Sequence, residues 1–252
     1  MAAAKSRSSR TDFDNIVILT GAGISRESGL DTFRDSDGIW AKVNVDDVAT
    51  PGGFARNPGR VHEFYNARRR QLLSGVVHPN EAHLALADLE RSWKGVVTII
   101  TQNIDDLHER AGTPGVIHIH GELLKARCSA CQKQTACMGD LSIHTRCSTC
   151  GASGNMRPDV VWFGEMPMYM DAVEEALENA DLFISVGTSG MVYPAAGFVE
   201  IARSAGAHTV ELNLERSAGA SLFDEAIYGP ATKVVKEYIA QLSRLRTGRR
   251  RG

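Results

Sequence analysis

One stretch near the start of the chain limits its possible folds more than any other: an apolar run that ends in a glycine-rich turn. Residues 15–20 read NIVILT, a short β-branched run typical of a strand buried on both faces of a parallel sheet. Gly21-Ala22-Gly23 follows directly. Glycine lets the backbone turn tightly and approach a ligand closely, and the next N–H groups can then bind a phosphate. The stretch indicates a nucleotide site, with a tight structural turn as the alternative.

The turn differs from the usual dinucleotide fingerprint. Arg26 stands where that fingerprint has its third glycine, and Gly29 comes three positions late. The stretch alone therefore predicts a variant nucleotide-binding fold.

Strands and helices alternate along the rest of the chain, which predicts a doubly wound parallel sheet. The further predicted strands are Val96–Thr101, Val116–Glu122, Pro158–Glu165, Asp181–Val186 and His208–Leu212. The predicted helices are Arg60–Leu73, Asn80–Arg91 with Asn80 as its N-cap, Leu107–Ala111, Asp171–Asn179, Ala195–Ala205 and Ala231–Arg246. Leu84, Leu86 and Leu89 are expected on or near the buried face of the second of these helices.

Small or polar residues follow several of these strands. They are Gly21-Ala22-Gly23, Gln102-Asn103, Gly187-Thr188-Ser189 and Asn213-Leu214-Glu215. Because ligands of open α/β sheets bind beyond the carboxyl ends of the strands, a shared site at this edge is favoured over simple turns. His118 and His120 are expected on one face of their strand, and the strand-end position of His120 makes a chemical role as plausible as a structural one.

Two pairs of cysteines form the most specific local motif. Cys128 and Cys131 are separated from Cys147 and Cys150 by 15 residues, and two residues lie within each pair. This spacing is typical of a structural zinc site, in which four thiolates fill a tetrahedral ion. Cys137 is left over as a free thiol.

Composition excludes several classes of function. The net charge of −2 gives no sign of nucleic-acid binding, and no apolar run approaches the length needed to span a bilayer. The basic residues at both ends are interpreted as solvated tails. Metal-type cysteine spacing without a secretory signal favours a cytoplasmic location.

The chain resembles the sirtuin family of NAD-dependent protein deacylases. The motifs that carry this resemblance are the glycine turn, Thr101-Gln102-Asn103-Ile104-Asp105, His120-Gly121-Glu122, the paired cysteines and the motifs at 187–189 and 213–215. The resemblance runs from about Asn15 to Ala240 and is strongest to the bacterial, desuccinylase-like branch. It implies transfer of an acyl group from lysine to ADP-ribose, which releases nicotinamide, O-acyl-ADP-ribose and free lysine. A Rossmann-like domain with a small zinc-ribbon domain and a helical insertion is the implied fold.

The same resemblance assigns site residues. His120 would be the general base, because the ordinary pKa of histidine lies near working pH, and Asn103 and Asp105 would hold the nicotinamide end and the ribose. The residues assigned to NAD are Gly21, Ala22, Gly23, Ser25, Glu27, Thr32, Phe33, Arg34, Trp40, Gln102, Asn103, Ile104, Asp105, Gly187, Thr188, Ser189, Asn213, Leu214, Glu215 and Ala231.

The expected partner is a protein or peptide with an acylated lysine. Val161, Trp162, Phe163, Gly164 and Glu165 match the segment that pairs with the peptide as an added strand. Tyr65 and Arg68 lie three residues apart on a helix, where simple packing and a solvated charge are the plain interpretation. Next to a small Ala49, the resemblance instead makes them donors to a negatively charged acyl group such as succinyl or malonyl.

The expected organisation has five parts: tails at 1–14 and 244–252, a Rossmann-like NAD-binding domain at 15–40, 80–122 and 156–243, a helical insertion at 41–79 and a zinc-binding domain at 123–155. Two other functions stay open. Mono-ADP-ribosyl transfer to a protein would label its target with ADP-ribose, and a non-catalytic NAD-sensing scaffold would release no nicotinamide.

Overall fold

A computed structural model describes residues 13–32 and 39–248 of the chain. Its strands are β1 Asn15–Thr20, β2 Val96–Thr101, β3 Ile117–His118, β4 Gly121–Cys128, β5 Gln134–Ala136, β6 Met156–Val160, β7 Leu182–Val186, β8 His208–Asn213 and β9 Glu225–Tyr228. Its α-helices are α1 Ile39–Lys42, α2 Val45–Val48, α3 Pro51–Arg56, α4 Pro58–Leu72, α5 Glu81–Ser92, α6 Leu107–Ala111, α7 Met170–Glu178, α8 Phe198–Ser204 and α9 Ala231–Gly248.

The larger sheet of the described residues is parallel, with the strand order β3-β2-β1-β7-β8-β9. The direction of winding reverses beside β1, which pairs with β2 on one side and β7 on the other. Such a reversal leaves a crevice at the carboxyl ends of the strands, where dinucleotides bind in this class of sheet. The predicted doubly wound parallel sheet is confirmed.

Two apolar layers cover the faces of this sheet. Side chains of β1, β2, β7 and β8 pack on one face against α5 and α9, with Leu86 and Val235 fully buried. On the other face, Phe183 and Phe198 join β7 to α8. The strand residues are apolar on both faces because both faces are covered.

A smaller antiparallel sheet with the order β5-β4-β6 stands beside the first. Helices α1–α4 pack against it and between the two sheets, and Val61, Leu72, Leu123 and Trp162 share one buried cluster there. This layer forms one wall of the crevice.

Several predicted boundaries are wrong, each for a local reason. The alternating run Val116–Glu122 is not one strand, because β3 ends at His118 and Gly121, with φ of +78°, turns the chain into the other sheet. Pro158–Glu165 is strand only as far as Val160. Leu84 is 43% exposed and is not part of the buried face of α5. Strand β9 was not predicted.

Candidate active site

A cleft of about 1120 Å³ opens at the carboxyl ends of β1, β2, β7 and β8, between the large sheet and the wall formed by the small sheet and its helices. Clefts that bind small molecules commonly have volumes of about 300–1,000 Å³, so this cleft is slightly larger than a typical small-molecule site. The predicted residues that line it are Gly21, Ala22, Gly23, Glu27, Thr32, Ala49, Tyr65, Arg68, Gln102, Asn103, Ile104, His120, Val161, Trp162, Phe163, Gly164, Glu165, Gly187, Thr188, Ser189, Asn213, Leu214, Glu215 and Ala231.

The remaining predicted residues lie elsewhere. Ser25 and Asp105 are buried directly beneath the cleft. Phe33 and Arg34 lie outside the described residues, as does the side chain of Trp40. Residues of the cleft that the sequence did not predict as ligands include Arg26, Met191, Tyr193 and Arg216. Arg26 begins a single 3₁₀ turn, and the other three fall in loops with no repeating pattern to single them out.

The glycine turn lies against the tip of β7. The N–H of Gly21 donates to Val186 O at 2.9 Å, and that of Gly23 donates to Gly187 O at 2.9 Å. A Cβ on Gly23 would come within 2.7 Å of the Gly187 Cα, so no other residue fits without moving the backbone. The two strand tips can meet only through glycine, which forms the floor of the cleft.

His120 stands between the two sheets, after β3 and before β4. Its Nδ1 lies 3.0 Å from the carbonyl oxygen of Gln102, and because a carbonyl only accepts, Nδ1 carries the hydrogen. Burial lowers the pKa of His120, and the bond to Gln102 offsets only part of this effect. The ring is therefore neutral at pH 7, with the lone pair on Nε2 free to take a proton.

Asn103 and Asp105 are held by a buried network. The Asn103 Nδ2 donates to Gly21 O and to Ser25 Oγ, both at 3.2 Å, and the Ser25 hydroxyl donates to Asp105 at 3.1 Å. Burial raises the pKa of Asp105 to about 6, against the lowering effect of the Leu107 N–H and the Ser25 hydroxyl. The three side chains thus form one rigid unit at the tip of β2.

The network continues into α5, which the sequence analysis did not anticipate. The Nε2 of His83 lies 3.5 Å from Ser25 Oγ, and its Nδ1 lies near the N-capping Asn80. Burial lowers the pKa of His83 to about 4, so the ring is neutral. The sequence does contain a local signal for this contact: His83 stands three residues after the N-cap Asn80, where a capping box usually has glutamate or glutamine.

At the other wall, Tyr65 and Arg68 face the cleft from α4. The Nε1 of Trp162 donates to the Tyr65 hydroxyl oxygen at 3.1 Å. The Arg68 guanidinium lies 3.4 Å above the Phe64 ring and donates to Phe64 O, while its buried Nε has no hydrogen-bond partner. Burial lowers the pKa of Arg68 to about 10, so it remains charged at pH 7.

The segment expected to pair with a peptide is already bonded within the chain at several points. The N–H of Val161 donates to His120 O at 2.8 Å, and that of Phe163 donates to Ala49 O at 2.9 Å. Arg157 binds Glu165 through two contacts, at 2.6 and 2.9 Å, and stacks over Trp162. These bonds fix the segment rigidly along the edge of the cleft.

The four paired cysteines converge beyond the small sheet. Their sulfur atoms all lie within 4.8 Å of one another, with separations of 3.8 Å for Cys128–Cys150 and 3.7 Å for Cys131–Cys147. A tetrahedral zinc ion with Zn–S bonds of about 2.3 Å spaces its sulfurs about 3.8 Å apart. Backbone N–H groups of Cys150 and Thr149 lower the pKa of Cys147 and favour its thiolate. The donor set fits a closed structural zinc site.

Comparisons with known proteins agree with this geometry. The chain is 56% identical to an NAD-dependent protein deacylase of Pasteurella multocida, over 90% of this chain and 97% of that one. It is 54% identical to an NAD-dependent protein deacylase of Vibrio cholerae, over 92% and 96% of the two chains.

Solved structures match over nearly the whole chain. A Sir2 homologue in complex with ADP-ribose has 37% identity and a TM-score of 0.87, and the match covers 94% of this chain and 95% of the other. A Sir2 protein bound to a myristoylated histone peptide has 33% identity and a TM-score of 0.71, with 94% of both chains covered.

In the part of the chain that the structure describes, none of the helices is long and apolar enough to cross a membrane. The family profile described as "Sir2 family" matches residues 21–194, more than half of the chain. Together with the identity to the deacylases of Pasteurella and Vibrio, this match shows that the chain belongs to the Sir2 family.

Proposed function

We propose that this protein removes acyl groups from protein lysine side chains at the expense of NAD, with negatively charged acyl groups among its substrates. The activity itself is the one named for its relatives of more than 50% identity. The winding reversal beside β1 and the glycine floor support NAD binding in the cleft. When bound, NAD supplies the ribose that accepts the acyl group and releases nicotinamide.

We assign different roles in the reaction to different residues along the cleft. The glycine turn would let the phosphates of NAD approach the backbone closely, and the Ser25–Asn103–Asp105 unit would orient the nicotinamide end. The neutral ring of His120 takes a proton from a ribose hydroxyl at Nε2, because Nδ1 is held by Gln102. Zinc at the four cysteines would hold the small sheet and take no part in the chemistry.

The preference for a negatively charged acyl group rests on one observation: a half-buried guanidinium with one buried, unpartnered N–H. Arg68 Nε is buried without a hydrogen-bond partner, and such a donor costs free energy until an acceptor arrives. A carboxylate at the end of a succinyl or malonyl chain can accept from a guanidinium in the fork geometry. Ala49, which is small and buried, leaves room beside it.

Tyr65 supports the same preference. Its oxygen already accepts from Trp162, whose indole N–H can only donate, so the hydroxyl proton of Tyr65 is free for a second acceptor. Burial raises the pKa of Tyr65, so the hydroxyl stays protonated. A carboxylate between Tyr65 and Arg68 would then receive donors from both.

The test compares Arg68→Met on matched acetyl and succinyl peptides with NAD. We expect kcat/KM for desuccinylation to fall about 100-fold and that for deacetylation to change less than threefold, since a hydrogen bond to a charged group is worth about 1.5–3 kcal/mol. Arg70→Met on the exposed side of the same helix is the matched control.

An equal loss of activity on both peptides would show that Arg68 has only a structural role. ADP-ribose appearing on the peptide, with the acyl group retained, would instead indicate ADP-ribosyl transfer.

A further inference from the structure

Among the buried histidines that the mechanism above does not use, His118 lies nearest in the chain to His120. His118 is the last residue of β3 and is only 4% exposed. Its Nδ1 lies 3.2 Å from the carbonyl oxygen of Asn103, and its Nε2 lies 2.6 Å from Glu109 Oε1. Both ring nitrogens therefore face groups of the chain, one in the cleft loop and one on α6.

The partners determine the charge of this ring. A carbonyl oxygen only accepts hydrogen bonds, and so does an ionised carboxylate. Both bonds can exist together only when each nitrogen carries a hydrogen, which makes His118 an imidazolium. A neutral ring has a single N–H and must give up either Asn103 or Glu109.

The charged groups around His118 favour the imidazolium. Glu109 approaches from α6 and Glu122 from β4, at 2.6 and 3.9 Å from Nε2, and Glu122 also pairs with Lys125. Burial alone would lower the pKa of His118, but the two carboxylates outweigh it and hold the pKa above its ordinary value. From the loop side Asp105 adds a third negative charge.

A second histidine faces His118 from α6. His108 lies close enough for its charge to interact with that of His118, but burial lowers the pKa of His108 far below neutrality, so its ring carries no charge. The charge of His118 in turn lowers the pKa of Asp105, which favours the carboxylate at the base of the cleft.

Two histidines thus hold two successive carbonyl groups of one loop. His120 binds the carbonyl of Gln102 and His118 binds that of Asn103. The side chains of Gln102 and Asn103 line the cleft at the nicotinamide end, so the orientation of their backbone sets the orientation of the site.

We propose that His118 is a positioning residue for the NAD-consuming reaction, which as an imidazolium fixes the Asn103 carbonyl and with it the loop from Gln102 to Asp105. Loss of its proton at alkaline pH releases one of the two bonds and loosens this loop. The proposal rests on the NAD-dependent activity but not on the choice of acyl group.

The experiment measures kcat/KM for NAD from pH 6 to 10, with an acylated peptide that has blocked ends and no titrating side chains. For the unchanged protein we expect a fall on the alkaline side. Glu109→Gln removes the nearer carboxylate and should move this fall to lower pH by about one unit. Glu178→Gln, an exposed change on α7, should leave the profile unchanged.

His118→Gln gives the complementary result. Glutamine has one donor group and no titration, so the alkaline fall should vanish, with KM for NAD raised about fivefold and KM for the peptide changed less than twofold. A profile for Glu109→Gln that superimposes on that of the unchanged protein overturns the proposal, as does an alkaline fall retained in a folded His118→Gln. Should His118→Gln not fold, Glu109→Gln decides alone, because Glu109 is an exposed helix residue. Failure of the proposed function is distinct, since then neither the unchanged protein nor any variant removes the acyl group from the peptide at any pH.

Discussion

At the scale of single residues, burial acts on His120 and Arg68 in the same direction but with opposite consequences. It lowers the pKa of both, since it disfavours the charged form of each. Histidine starts near neutrality, so His120 becomes a neutral base. The ordinary pKa of arginine is so high that Arg68, with its pKa lowered to about 10, still carries its charge at pH 7. One cleft thereby holds a proton acceptor and a fixed cation.

For His120 we expect that replacement by alanine lowers nicotinamide release and deacylation by about 10²–10⁴-fold, the usual contribution of a general base. His144→Ala, an exposed histidine near the cysteines, is the control. In the unchanged protein, activity should fall on the acid side only below pH 6.5, because protonation removes the base and the pKa of His120 lies below that value. Nicotinamide release that survives His120→Ala would contradict this role.

Trp162 provides the second residue-scale prediction. Trp162→Phe keeps an aromatic ring between Arg157 and Phe54 but deletes the N–H that orients Tyr65. Desuccinylation should lose about 2–10-fold in kcat/KM, the value of one hydrogen bond, while deacetylation stays within twofold. Trp93→Phe, in the opposite core, is the matched control. If both reactions lose equally, Trp162 serves only to pack the wall.

At the scale of elements, strands and helices with their own apolar pattern were predictable from the sequence. Strands β1 and β2 have the predicted bounds, and α5 begins after its predicted N-cap Asn80. The change of sheet at Gly121 was not predictable, because the alternation of residues continues through the turn. Strand β9, with the residues EAIY at the sheet edge, is too short and polar to show a pattern.

The zinc ribbon gives a prediction at this scale. The small sheet has only a minor apolar cluster of its own, which includes Ala126, Leu141 and Met156 and two of the paired cysteines. Removing zinc with a chelator should therefore unfold β4–β6 and abolish deacylation, because Gly121 and Val160 adjoin His120. Metal analysis should find one zinc ion per chain. The ion should be lost in Cys128→Ser and retained in Cys137→Ser. Full activity after zinc loss would contradict this view.

At the scale of the whole molecule, the site costs stability. Asp105 is ionised at pH 7 although burial raises its pKa from 3.8 to about 6, a penalty on the order of 3 kcal/mol. The folded state binds more protons than the unfolded state between these pH values, so this penalty is absent below about pH 4 and complete above about pH 6.

Asp105→Asn should accordingly raise the free energy of unfolding by about 1–3 kcal/mol at pH 7.5 and by less at pH 5, while activity falls. Denaturant unfolding at the two pH values measures the difference, with the exposed Asp88→Asn as control. A variant that is less stable at pH 7.5 would show that the ionised carboxylate supports the fold.

The arrangement of the whole sheet also explains which parts of the site could be predicted from the sequence. The residues after β1, β2, β7 and β8 were expected to meet because parallel strands end at one edge, and in the structure they line one cleft. The bond from Trp162 to Tyr65 joins residues 97 positions apart, and the contacts of His118 depend on the packing of α6 against β3. No sequence period encodes such tertiary contacts.

The anchoring of His120 has a consequence for the coupling of the two walls of the cleft. Its imidazole is bound to Gln102 at the tip of β2, and its carbonyl oxygen accepts from Val161, which follows β6 of the small sheet. The residue that we propose as the base therefore bridges the two sheets. A substitution that displaces either wall should shift the imidazole as well, so that damage to the peptide side is also felt at the dinucleotide side.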